Sequence, residues 1–128
     1  MTGLSFLETE KRYEGVVVDL FKRFKKRVGV MGLGSDLHTA GVFPHGAALN
    51  SPNYVVADVV ENEFPKRISL SLKALGEFTA FIVLAFGEQK RNAIATLLDE
   101  KENDMQKYPA IFYRKSKIPA YLITDIKL

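Results

Sequence analysis

Cysteine is missing from all 128 residues. That absence excludes disulfides, thiolate metal sites and cysteine nucleophiles, and it fits an intracellular protein. Histidine is nearly as scarce: the chain has two, His38 and His45. No apolar run approaches the roughly 20 residues that cross a bilayer. The opening MTGLSFLETEKRYEG carries acidic residues where a secretory signal would be basic. A cytoplasmic protein with no membrane partner is expected. Repeats and low-complexity linkers are also absent. What is present is a 47% apolar composition, enough for one compact domain over 1–128 with a real core, in a chain too short for two. The net charge of +3 suits a small anionic ligand as well as it suits nucleic acid, so local charge has to decide.

The first segment is patterned as an amphipathic helix. Ser5 and Glu8 have the spacing of a capping box, and Tyr13, Val16, Val17, Leu20, Phe21 and Phe24 recur at helical intervals on a face expected to be buried. The basic run Lys22–Arg27 lies at the negative end of the helix dipole. It has no repeat and no aromatic stacking platform, so it reads as a solvated helix end and no nucleic-acid partner is expected. Strands are expected at Val28–Leu33, Tyr54–Val60, Arg67–Leu72, Phe78–Phe86 and Ala120–Ile126, all rich in β-branched and aromatic residues. A helix over Glu88–Asn103, with Ile94, Leu97 and Leu98 on one face, separates the last two. This alternation predicts an α/β fold with a mostly parallel sheet flanked by helices. The stretch between Pro109 and Pro119 is expected to be irregular.

The stretch GLGSDLHTAGVFPHG, Gly32–Gly46, holds both histidines. It follows a strand, and open α/β folds bind ligands at the carboxyl ends of strands. As a dinucleotide fingerprint it fails, because Leu37 stands where GxGxxG needs its third glycine. Asp36, His38 and His45 are too few to complete a tetrahedral metal set, so no metal site is expected. What remains is His38 beside Asp36, the minimum for general-base activation of a water. An isolated histidine of this kind also serves simply to hydrogen-bond its own loop, and the residues alone leave both readings open.

The same stretch resembles the signature GxGxDGHTASLFPG of the 6-phosphogluconolactonases, in the superfamily that includes glucosamine-6-phosphate isomerase. FPKRISLSLKAL (Phe64–Leu75) resembles that family's PPxRITLTLxxL segment, VLAFGEQKRNAIATLL its strand, GxxKA turn and helix, and PAYLITD its closing strand and aspartate. The resemblance covers essentially the whole chain, but only the carboxyl-terminal half of the family's doubly wound, three-layer αβα fold. The family's amino-terminal half, with a Ser-Gly-Gly phosphate loop and an Asp-Glu-Arg segment, has no counterpart here. A bare strand edge and apolar surface follow, and with them a homo-oligomer or a complementing amino-terminal-half chain as partner.

The resemblance implies hydrolysis of a phosphorylated sugar lactone, 6-phosphogluconolactone, in the pentose phosphate pathway, without a cofactor. His38 would deprotonate water and Asp36 would fix the imidazole. Gly32, Gly34 and Thr39 belong to the substrate and oxyanion loop, and Lys90, with Arg67 second, would bind the phosphate. The isomerases carry an acid where Phe43 stands, which favours the lactonase reaction. Leu37 replaces a family glycine. If that position has positive φ, a leucine there costs about 1–2 kcal/mol or displaces His38. The alternative is a non-catalytic sugar-phosphate-binding or assembly relative.

Overall fold

The computed structural model describes residues 5–128. Met1–Leu4, the first part of the opening run read above, lie outside the described residues. Helix α1 (Phe6–Arg23) starts at the expected capping box: the Ser5 hydroxyl accepts from the Glu8 N–H at 3.2 Å, and the Glu8 carboxylate accepts from the Ser5 N–H at 2.8 Å. Strand β1 (Val28–Gly32) follows, then β2 (Val55–Val59), β3 (Lys66–Leu70), the single turn α2 (Leu72–Leu75), β4 (Ala80–Ala85), α3 (Arg91–Leu98), α4 (Phe112–Lys115) and β5 (Ala120–Thr124). All five expected strands form.

They form two sheets. Strands β1, β4 and β5 make a parallel sheet in that order, with β4 central. Strands β2 and β3 pair antiparallel in a separate ribbon. The expected helix after β4 is shorter than its charged surroundings implied. It opens as a 3-10 turn at Glu88–Lys90 and ends at Leu98, and it buries Ala93, Ile94 and Leu97 while Leu98 stays exposed. The stretch after Pro109 is not wholly irregular: a 3-10 turn (Pro109–Ile111) leads into α4, and Ile111, Phe112 and Tyr113 enter the core.

Alternation along β4 sends Phe81, Val83 and Ala85 to one face of the parallel sheet. There they meet Leu75, Ile94, Leu97, Ala110 and Tyr113 in a continuous core. Phe81 is fully buried and meets Tyr113 and Phe112 edge to face. The other face is formed by Val28 and Val30 of β1, Ile82 and Leu84 of β4, and Tyr121 and Ile123 of β5, neighbours by register. Among the described residues nothing covers it: Val30 is 65% exposed and Tyr121 62%.

Helix α1 departs from expectation in the same sense. Val17 is buried, but Tyr13, Val16, Leu20 and Phe24 are exposed. The reason lies in what α1 docks with. Glu10, Glu14, Val17 and Phe21 fall on one line of the helix, at i, i+4, i+7 and i+11. Glu14 accepts hydrogen bonds from the Tyr54 and Val55 amides, Glu10 from that of Ala57, and Phe21 meets Tyr54 and Phe78. The helix thus satisfies backbone amides at β2 with carboxylates, and most of its expected apolar face, Tyr13, Val16, Leu20 and Phe24, points away from that contact. In the basic run, Arg27 folds back to donate to the Glu77 and Phe21 carbonyls, while Lys25 and Lys26 are exposed.

Candidate functional site

Parallel strands place their carboxyl ends at one edge of the sheet. Here the loop after β1, the turn after β4 and Asp125 after β5 therefore meet. The loop after β1 is held from several sides. The Leu37 N–H donates to the Gly34 carbonyl, the Ala110 N–H donates to the Leu37 carbonyl, and Thr39 and Val42 bridge each other. Three non-glycine residues, Leu37 (φ 62°), Ala40 (φ 50°) and His45 (φ 56°), sit in the left-handed region. Such backbone persists only where its surroundings over-determine it. For Leu37 that support is burial: its side chain is 2% exposed, within the core. The positive φ considered from the sequence is present, yet His38 is not displaced from its carboxylate.

His38 Nδ1 lies 2.5 Å from Asp36 Oδ1, and the same oxygen accepts from the His38 backbone N–H at 3.0 Å. Partial burial alone would raise the Asp36 carboxyl. The two hydrogen bonds from His38, and the attraction of its ring, outweigh that and hold the group below the usual carboxylate range. An ionised Asp36 takes the proton side of Nδ1 and leaves Nε2 as the acceptor. Gly34 makes room for this pair. A Cβ there would collide with the His38 ring and stand 2.7 Å from Asp36 Oδ1. The Gly34 N–H donates to the His38 carbonyl at 2.9 Å, so it is committed inside the loop and is not free to face an oxyanion. The Thr39 hydroxyl is likewise buried, donating to the Gly32 carbonyl at 3.0 Å and lying 2.5 Å from the Tyr113 hydroxyl. Burial pushes the Tyr113 phenol up to about 12, against the opposing Thr39 hydrogen bond.

The turn after β4 brings in the cation. Gly87, at φ 91°, donates its N–H to Asp125 Oδ1 at 2.9 Å, which ties that turn to the end of β5. Glu88 pairs with Arg91, and Lys90 turns toward the loop. Gly32, Leu33, Gly34, His38, Ala40 and Lys90 line one open cleft of about 300 Å³. A neighbouring hollow is bounded by Asp36, His45, Asp58 and Glu61, and its negative charge opposes an anion.

Of the residues singled out in the sequence, Gly32, Gly34, His38 and Lys90 are thus brought together, with Asp36 behind the imidazole and Thr39 beneath the loop. Arg67 is not in the cleft. Its guanidinium lies 5.3 Å from the Phe43 ring centroid and donates to Asn62, and its Nε is buried without a partner. Two contributors went unnoticed in the sequence. One is the Asp125–Gly87 tie, for which the only signal was the aspartate closing PAYLITD. The other is the stack of Phe43, noted above only for standing where the isomerases carry an acid, on the His38 ring at 4.4 Å between centroids and 18° between planes.

A sequence profile described as glucosamine-6-phosphate isomerases/6-phosphogluconolactonase matches residues 5–122. A 6-phosphogluconolactonase of Synechocystis is 30% identical over 83 residues, 65% of this chain and 34% of that protein. Among solved structures, a 6-phosphogluconolactonase from Shewanella baltica superposes with a TM-score of 0.73 at 25% identity, covering 90% of this chain and 51% of that one. That of Plasmodium vivax gives a TM-score of 0.78 at 19% identity over 98% of this chain and 55% of the other, a likeness of fold. The chain thus spans about a third of the curated relative and about half of the solved structures.

Proposed function

The chain belongs to the glucosamine-6-phosphate isomerase/6-phosphogluconolactonase family, and on that premise we propose that its cleft hydrolyses a phosphorylated sugar lactone, 6-phosphogluconolactone, to the open acid. The observation that carries this reading is the Asp36–His38 pair opening onto the same cleft as Lys90. His38 Nε2 takes a proton from water as the water oxygen bonds to the lactone carbonyl carbon. The tetrahedral intermediate collapses with cleavage of the ring C–O bond, and the imidazolium returns its proton to the departing hydroxyl. Asp36 stabilises the imidazolium and fixes its tautomer. Lys90 receives the phosphate at the start of α3, where the helix dipole adds to its charge. Arg67 acts from beyond Phe43 as a second, more distant cation. Thr39 and Gly34 shape the loop from within.

The isomerase reaction is disfavoured because Phe43 offers no acid or base beside His38. The pathway served is the pentose phosphate pathway and the setting cytoplasmic. The partner that completes the site is a second copy or a complementing amino-terminal-half chain, since the bare sheet face needs a cover. One observation favours a second, non-catalytic reading: among the described residues the cleft is open and is lined by one cation, Lys90. The test is the rate of lactone hydrolysis above the spontaneous background, in the chain alone and in any complex it forms. Turnover lost in His38→Ala, with phosphogluconate binding weakened more by Lys90→Ala than by Lys26→Ala, supports the lactonase. Binding without turnover in every form supports the non-catalytic relative.

A further inference from the structure

We infer that Phe43 is a positioning residue that holds the His38 imidazole in its working plane and couples it to Arg67; the inference rests on the proposed role of His38 as base. The Asp36 hydrogen bond fixes one atom of the imidazole, Nδ1. A single hydrogen bond leaves the ring free to swing about that contact, and Nε2, the atom that must meet water, moves furthest when it does. Two further constraints remove this freedom. Gly34 lies against the ring edge at Nδ1 and Cε1, so close that no side chain fits between. Phe43 lies against its flat side, with ring centroids 4.4 Å apart and planes within 18° of parallel, a close, near-parallel stack.

Phe43 is itself fixed. It is 9% exposed, and its carbonyl accepts from the Gly46 N–H at 3.0 Å. The Arg67 guanidinium also lies over this ring, at 5.3 Å. Arg67 is otherwise held by the Phe64 ring, 5.9 Å from its guanidinium, and by one hydrogen bond to Asn62 at 3.1 Å, while its buried Nε has no partner, so Phe43 is the nearer of its two aromatic contacts. The aromatic ring therefore serves as a common reference for the base and the outlying cation, two groups from different segments of the chain. Replacing it with an aliphatic side chain would fill space but hold neither plane.

The test combines a spectroscopic signature with a kinetic split. In wild type the His38 ring protons are expected to be shifted upfield by the Phe43 ring current, and those of exposed His45 to be unshifted. Phe43→Leu is expected to abolish that shift and lower kcat by about ten- to a hundredfold, the scale of a misplacement of about 1 Å, with a smaller change in KM. Phe43→Tyr, which keeps a ring, is expected to restore most of both. Should Phe43→Leu fail to fold, Phe43→Met serves in its place. His38 resonances unmoved by loss of the ring overturn the inference. So does an unchanged kcat in Phe43→Leu when His38→Ala is inactive. If His38→Ala itself keeps full turnover, the base reading fails and takes the reaction role of Phe43 with it, while the ring shift still reports the stack.

Discussion

The two faces of the parallel sheet have opposite fates. On one, Phe81, Val83 and Ala85 are sealed under α3, α4 and the loop after β1; on the other, Val28, Val30, Tyr121 and Ile123 stand open. The sealed face supports the site. Leu37 can hold a left-handed backbone only because its side chain is anchored in that core, and Thr39 can hold the loop down only because Tyr113 is buried beside it. The open face has no chemistry of its own. Its register neighbours carry no charge, and parallel sheets are ordinarily covered on both sides.

The sharpest way to break the sealed side is Gly34→Ala. The added methyl must displace the His38 ring, so any turnover should fall by about a hundredfold. The fold should persist, since the φ of Gly34 is outside the glycine-favouring region. Kinetics alongside circular dichroism checks both. Next in size is the open face. Sedimentation across a concentration series should show association, and Val30→Lys, at a position already exposed, should abolish it while stability changes by no more than about 0.5 kcal/mol. A wild-type chain that stays monomeric at every concentration, and takes no partner, would remove the contrast.

Leu37→Gly probes the balance within the loop. Removing a buried leucine side chain costs about 2–5 kcal/mol, and relief of the left-handed strain returns about 1–2 kcal/mol. Denaturant unfolding should therefore show a net loss of about 0–4 kcal/mol. A gain would mean that strain, not burial, dominates the loop.

The strands were legible because runs of β-branched and aromatic residues such as YVVADVV and FTAFIVLAF leave few other options. Amphipathicity was less informative for α1. The pattern shows which residues are apolar, and cannot show that Glu10 and Glu14 would claim the face toward β2. The pairing of β2 with β3 into their own ribbon is likewise set by long-range contacts. At the site, Asp36 and His38 could be paired because they are neighbours in the chain, and Lys90 could be placed by family resemblance. Stacking of Phe43 on His38 could not be read, because the two are five residues apart in a loop whose path includes left-handed backbone at Ala40 between them.

The smallest effect expected is that of pH. The folded-state pKa of Asp36 is depressed, so its contribution to stability is present above the unfolded value of about 3.9 and is lost as pH falls through the lower folded value. Acid titration of stability should show a slightly shallower low-pH decline in Asp36→Asn than in wild type. An identical decline in the two would mean that the dyad does not form in solution.

The central claim, that His38 and Lys90 share one anion-binding cleft, is tested most directly by titrating the chain with 6-phosphogluconate and following side-chain resonances by NMR. The His38 ring and the Lys90 ammonium-bearing methylene should shift together with one dissociation constant, while His45 and Lys26 stay in place. Shifts at Lys26 equal to those at Lys90, with His38 unmoved, would show diffuse attraction to a basic surface and contradict the claim.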